Sequence, residues 1–251
     1  LGGAWACQYG GFYVKQQQYM SILWELNYTN DVVNLVDAVN RAKDDPKKPN
    51  LYNILRIMKV YLFARLTDLY GDIPYSEASA GYTQKIVRPK YDRQEDIYND
   101  FFKELTEASI ALDASRDNVA NDQFYKGDIG KWKKFANSLH LRLAMRLVKR
   151  DAAKAKTEAE KAFARGVFEG NEDICKMTHA NILNNYADVR GNGLSASISQ
   201  GEVVPYRFNQ VFIDALRNTN DPRLNYIAKY YIDKPYAFME RTDITNEVKA
   251  V

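Results

Sequence analysis

Apolar side chains recur along this chain with helical rather than alternating spacing. The densest run is Asn50 to Tyr75, NLYNILRIMKVYLFARLTDLYGDIPY. Leu51, Ile54, Leu55, Ile57, Met58, Val60, Leu62, Phe63, Leu66 and Leu69 fall on nearly every side of a helix there, the pattern of a segment covered by several neighbours. Arg56, Lys59, Arg65 and Asp68 interrupt the run, so it is too short and too charged to span a membrane. Both ends are predicted. Asn50, after Pro49, is placed to cap the helix by accepting a bond from an orphan N–H, and Gly71 to take the backbone conformation that ends it. Pro74 bars a restart, and Asp72 is expected to fix the exit by accepting backbone N–H bonds.

Further stripes follow. Ile97, Phe101, Leu105, Ala108 and Leu112 predict a helix over 94–112, and Trp132, Phe135, Ala136, Leu139, Leu143 and Leu147 another over 131–150. An Ala-rich helix over 151–167 should stop at Gly166 or Gly170. Val32, Leu35, Val36 and Val39 predict a helix over 31–42, and a shorter one is expected over 206–217. Polar connections separate them at 44–50, 76–92, 114–130 and 190–201, with a turn at Asn220-Asp221-Pro222. A short extended piece is expected near 227–232, without a real sheet. The fold class is therefore all-α: tetratricopeptide-like helical hairpins with long loops and little or no sheet, read as a single domain. The strict 34-residue tetratricopeptide signature is absent, so the likeness is one of packing, in which each hairpin needs a neighbour to bury its apolar face.

Composition narrows the chemistry. The 251 residues are 46% hydrophobic and 27% charged, an ordinary globular balance, and a net charge of +3 names no partner. Cys7 and Cys175 are too few for a disulfide framework, and their pairing is left open. Neither a basic segment nor an apolar leader precedes Cys7, which is read as a core cysteine. His140, beside the Leu139 stripe, is expected at a helix boundary. His179 follows Cys175 by four residues, but two ligands fall short of the three or four that zinc takes. No GxSxG occurs, and Gly191 to Ala196 matches GxGxxG/A only as a loop. Glu172 and Asp173 are expected at a solvated surface. Nine Lys or Arg face one acid, Asp151, between Lys131 and Lys156. Arg142, Arg146 and Arg150 form one stripe there, expected to meet neighbouring acids or water rather than nucleic acid. No catalytic residue, metal or cofactor is expected.

Four ordered segments carry a family resemblance. Ala64-Arg65 leads into Tyr70-Gly71-Asp72-Ile73-Pro74, and KYDRQEDIYNDFFKELTEAS at 90–109 has a Tyr-x-x-Gln-x-x-Ile-Tyr opening. Lys131 to Leu139 with Leu141 to Arg146 is the third segment, and Asp221-Pro222-Arg223-Leu224 the last. In that order they resemble the SusD/RagB family of outer-membrane nutrient-binding lipoproteins, over roughly residues 20 to 230. The family's lipidated N-terminus and the part following Asp-Pro-Arg lie outside this sequence. The last helices are accordingly expected to leave Phe208, Phe212 and Leu216 exposed. The resemblance implies a non-catalytic protein, lipid-anchored at the cell surface on the outer membrane and seated over a SusC-like TonB-dependent transporter. Such proteins capture oligosaccharides, or sometimes peptides, and touch the membrane only through an anchor absent from this chain.

The residues that would bind a glycan are sought among the aromatics: 18 Tyr, 11 Phe and 3 Trp. Tyr and Trp offer flat faces to sugar rings, and amides supply hydroxyl partners. Trp5, Tyr9 and Tyr13, with Gln8 and the pair Gly10-Gly11, are the expected ligand-binding platform. Two other classes fit the residues less well: a tetratricopeptide-like scaffold for proteins or peptides, and an all-α glycan-degrading enzyme.

Overall fold

The computed structural model describes residues 17–182, 190–193, 208–228, 231–234 and 237–243. The chain divides into two compact units, Lys15–Thr178 and a second made of Leu1–Val14 with His179–Val251.

The Lys15–Thr178 unit is helical. It runs α1 (Gln17–Leu26), a π-helical turn (Asn27–Asp31), α2 (Val32–Lys43), α3 (Pro49–Tyr70), the short α4 (Ala80–Gln84), α5 (Gln94–Ala111), α6 (Ile129–Arg146) and α7 (Ala152–Ala164). The wide turn after α1 is polar: Asn27, Thr29 and Asn30 bond the carbonyls of Leu23, Glu25 and Leu26, each four residues back. Neighbours in sequence are neighbours in space. α3 packs against α2 and α5, α5 against α6, and α6 against α7. Ile57, Val60 and Phe63 from α3 meet Ile97, Phe101 and Leu105 from α5 and Trp132, Ala136 and Leu143 from α6 in one core. Tyr75 wedges edge-on between Phe63 and Phe101, with ring centroids 4.9 and 5.5 Å away. A ring as buried as Phe101 is worth about 3–5 kcal/mol on truncation to Ala. Arg56 carries a charge into this core, 2.7 Å from Glu104 and 2.5 Å from Glu107, and so ties α3 to α5.

The helix ends are closed differently from the sequence expectation. Asn50 does not cap α3, because the helix already begins at Pro49. The Asp117 carboxylate takes the N–H groups of Asn50 at 2.7 Å and Leu51 at 3.1 Å. The fully buried Asn50 amide instead clasps the same loop, accepting from the Asp113 N–H and donating to the carbonyls of Asp113 and Asp117. Gly71 does end α3, with φ +76° and its N–H on the Thr67 carbonyl. Asp72 fixes no local turn; its carboxylate accepts the Gln94 N–H at 2.8 Å and so closes the start of α5. α6 stops at Arg146, several residues early, since the Leu147 N–H turns back to Ala144 and Asp151 caps α7 through the Lys154 N–H. α7 ends at Gly166, φ +89°, rather than at Gly170. In the 112–128 connection Asp122 is buried and accepts from the N–H groups of Phe124, Tyr125 and Gly127 and from the Trp132 indole. Gly127 is required there twice over, by its φ of +86° and by the Asn118 side chain 2.7 Å from where a Cβ would stand.

His140 is no boundary residue. It is fully buried, stacked on Phe102 at 4.9 Å and held between Glu158 at 2.9 Å and Arg165 at 3.0 Å. A guanidinium can only donate, so Nδ1 accepts from Arg165, and Nε2 carries the hydrogen that Glu158 accepts. Burial holds the imidazole pKa below its ordinary value against the pull of Glu158, and the Arg165 charge adds to the depression.

In the second unit α8 (Gln210–Asn218) and α9 (Leu224–Ile227) precede an antiparallel strand pair, β1 (Tyr231–Lys234) and β2 (Ala237–Asp243). The extended piece at the end of the chain is thus a real two-stranded sheet. Phe208 and Phe212 stack at 5.4 Å and are exposed as expected, whereas Leu216 is buried. Asp221 accepts from the Arg223 N–H and guanidinium and starts α9, so the Asp-Pro-Arg-Leu segment is a helix-start device.

Two outcomes follow for the Lys15–Thr178 unit. Asp72→Ala should lower unfolding stability by about 1 kcal/mol, read by urea denaturation, because the first α5 N–H loses its acceptor; an unchanged midpoint would show that the bond carries no stability. The depressed His140 pKa means that the folded state prefers the neutral ring, so its stabilising contribution is complete above the ordinary histidine range. That contribution is lost as pH falls from about 7 toward 5. The melting temperature should drop across that window, and His140→Gln, which keeps a donor and an acceptor, should be less stable yet flat across it.

Candidate functional site

Two features of the Lys15–Thr178 unit converge side chains suited to a ligand. The first is aromatic. Trp24 and Tyr28 sit one turn apart on the end of α1 and its π turn, Tyr70 is the last residue of α3, and Tyr91 ends the 76–92 connection. The Trp24 ring lies 4.6 Å from Tyr28, 5.1 Å edge-on from Tyr70 and 6.0 Å in a near-parallel stack from Tyr91. Tyr28 is anchored by its hydroxyl, which donates to the Pro74 carbonyl at 2.7 Å; burial, then Tyr91 and Asp92, raises its pKa. Tyr91 keeps an open ring, 62% exposed.

Asp92 sets the height of this aromatic shelf. Its carboxylate accepts from the Tyr75 and Ser76 N–H groups and the Ser76 hydroxyl, and its backbone pairs with Ile73. Burial raises its pKa, but the Ser76 and Tyr75 donors outweigh that and leave it below the ordinary carboxylate value. Both ends of the 76–92 connection are thereby pinned together. Between them Ser79 and Lys85 take left-handed conformations, φ 59° and 60°, and frame α4, which presents Tyr82 at 99% exposure. Non-glycine residues held this way cost about 1 kcal/mol or more each, a pattern common at functional loops.

The second feature is a polar cleft of about 890 Å³ where the end of α3, the start of α5, the end of α6 and the start of α7 meet. Tyr98 lies buried in its wall and donates to Asp68 at 2.6 Å; burial and then Asp68 push the phenol up to about 12. Arg146 reaches Asp68 at 3.1 Å and Tyr98 at 3.2 Å. Asp72, Arg93, Glu95, Arg150, Asp151 and Lys154 line the rest.

Trp5, Gln8, Tyr9 and Tyr13, expected from sequence as the ligand platform, lie outside the described residues. The shelf around Trp24 was missed, although Trp24 and Tyr28 at i,i+4 signalled a shared face; Tyr91 reaches them only through the tertiary fold. Asp173 is buried rather than solvated, accepting from Lys134 at 3.0 Å and the Glu169 N–H at 2.9 Å. His179 is exposed and Cys175 half-buried. Among the described residues no three potential metal ligands gather, and no helix is long and apolar enough to cross a membrane.

Comparison with known proteins gives one consistent result. A family model described as SusD-like, "Starch-binding associating with outer membrane", matches residues 7–239. A solved Bacteroidetes AC2a SusD-like structure superimposes with TM-score 0.85 at 36% identity, over 96% of this chain and 47% of that one. A chitin-binding protein superimposes with TM-score 0.78 at 43% identity, over 89% of this chain and 46% of that one. A chitin-binding SusD homologue from Flavobacterium johnsoniae gives 0.72 at 32% identity, over 90% and 45%. The chain thus spans a little under half the length of these solved relatives. No curated protein matches it.

Proposed function

This chain belongs to the SusD-like family, and from that premise we propose that it is part of a non-catalytic glycan-binding protein of a nutrient-uptake system. The observation that carries the reading is the joint one: the family match over residues 7–239, and two relatives described as chitin-binding. The family description associates its members with the outer membrane. The finer reading is a cell-surface, lipid-anchored protein that works with a SusC-like TonB-dependent transporter. It captures an oligosaccharide, or a peptide in the rarer case, and delivers it by binding and hinge motion with no bond made or broken.

The physical basis is stacking. The open Tyr91 ring, supported from behind by Trp24, offers a rigid flat face with few rotors to freeze, the requirement for holding a pyranose against water. Trp5, Tyr9, Tyr13 and Gln8 are proposed to add to the same kind of contact. The reading of a protein-binding scaffold has no comparable feature among the described residues.

Calorimetric titration with chito-oligosaccharides and starch oligosaccharides, paired with melting curves, tests both platforms. One well-placed ring is worth about 1 kcal/mol, so Tyr91→Ala should weaken binding about fivefold with little change in melting temperature. Trp5→Ala should weaken it roughly five- to tenfold without unfolding the protein. Unchanged affinity would remove the residue from the site, and a collapsed melting temperature would return it to the core. Turnover of a polysaccharide would replace the binding reading by an enzymatic one.

A further inference from the structure

The 890 Å³ cleft between the ends of α3, α5, α6 and α7 plays no part in the stacking shelf, and its hydrogen-bonding inventory is lopsided. Four cations line it, Arg93, Arg146, Arg150 and Lys154, and four carboxylates, Asp68, Asp72, Glu95 and Asp151, so its formal charge is zero. The carboxylates are already engaged. Asp68 accepts from the Tyr98 hydroxyl on one oxygen and from Arg146 on the other. Glu95 accepts from Arg93 at 3.1 Å. Asp72 and Asp151 accept helix-start N–H groups, of Gln94 at 2.8 Å and Lys154 at 2.9 Å, where the helix dipole offsets part of their charge.

The cations are not all engaged. The Lys154 ammonium bonds the Asn99 side-chain oxygen and lies 6.0 Å from the Phe102 ring centroid, with no carboxylate partner among the described residues. The Arg150 side chain has no hydrogen-bond or ion-pair partner among the described residues. An arginine and a lysine can only donate. A cleft whose acids are used internally, and whose spare groups are two cations, calls for a ligand with accepting oxygens and a negative charge. Zero formal charge overall argues against a polyanion, whose binding needs a net positive field. The volume is in the range of small-molecule sites and exceeds a single sugar ring.

We propose that this cleft is a subsite for one anionic group carried on a sugar, a carboxylate or a sulfate, with Arg150 as its bidentate partner and Lys154 as the second positive charge. A planar guanidinium matches two oxygens of either group, and a charge-assisted pair of this kind is about twice as strong as a neutral hydrogen bond. The proposal rests on the glycan-binding reading and adds to it: the captured glycan includes an acidic residue. Arg93, at the exposed rim and bonded to Glu95, is left to steer the incoming charge.

The test holds ligand shape constant while removing its charge. A neutral xylose trimer carrying one glucuronic acid is titrated against its methyl ester, and a galactan tetramer carrying a single sulfate against its desulfated form, which separates the two sources of charge. At low salt at least one acidic ligand should bind about tenfold more tightly than its neutral counterpart, and the preference should shrink in 0.5 M salt. Arg150→Ala and Lys154→Ala should each bring the acidic ligand toward the affinity of the neutral one, with melting curves unchanged because both residues stand outside the core. Arg150→Lys should restore only part of the preference. Equal binding of charged and neutral forms, or a preference that survives Arg150→Ala, would overturn the proposal. If chito- or starch oligosaccharides bind while neither acidic ligand is preferred, this proposal alone falls; if no oligosaccharide of any kind binds, the glycan reading falls with it.

Discussion

The start of a helix exposes N–H groups with no partner inside the helix, and the Lys15–Thr178 unit meets that demand by borrowing carboxylates from elsewhere in the chain. α3 is opened by Asp117, 67 residues away in sequence, and α5 by Asp72, 22 residues back. Neither helix can be set correctly unless the other segment is in place. The connection after α5 must return to the start of α3, and the exit of α3 must reach the start of α5. The two central helices are therefore closed against each other at both ends, with Arg56 and its two glutamates fastening the middle. The apolar core fills the space that these polar contacts define, which is why its stripes interlock in one register.

That arrangement explains what could be read from the sequence. The stripe Ile97, Phe101, Leu105, Ala108 and Leu112 is local information, and all five residues are buried. Gly71 and Gly166 were legible as stops because a positive φ leaves its mark on residue choice. The cap of α3 was not legible. Asn50 is a good local candidate by type, but its amide is committed to the 113–117 loop, and the acceptor that replaces it is invisible from position 50. His140 failed for the same reason, since its partners Glu158 and Arg165 arrive on α7 and just beyond it. The end of α6 moved because Asp151 prefers to cap α7. The aromatic shelf joins three separate segments, so only half of it, Trp24 with Tyr28, was within reach of periodicity.

The segments that carry the family resemblance have a common physical role here. Gly71 and Asp72 end one helix and begin another, while Gln94 returns its side chain to the Thr67 carbonyl at 2.7 Å. Asn137 holds the carbonyls of Arg165 and Gly166 at the end of α7, and Asp221 opens α9. These are joints between helices. They set the chain path, and the same segments carry Tyr70 and Tyr91 onto the shelf and Asp72, Arg93 and Arg146 into the cleft. Variation in ligand would then rest on side chains of these segments, such as Tyr91, and on the residues between them.

The 76–92 connection shows how such variation can be accommodated. Its two ends are locked to each other by the Ile73–Asp92 bridge and by the Asp92 carboxylate on Tyr75 and Ser76. Ala78 and Ala80 are buried next to that lock, and the stretch from Gly81 to Arg88 beyond them is largely exposed and hangs from the closed ring. Length and sequence can therefore drift between Gly81 and Arg88, through insertions, deletions or replacement, at little risk to folding. That stretch behaves as an exchangeable cassette, and an engineer wishing to graft a new recognition element onto this scaffold would cut at Gly81 and Arg88, leaving Ala78, Ala80 and the Lys90 N–H bond to Glu77 in place.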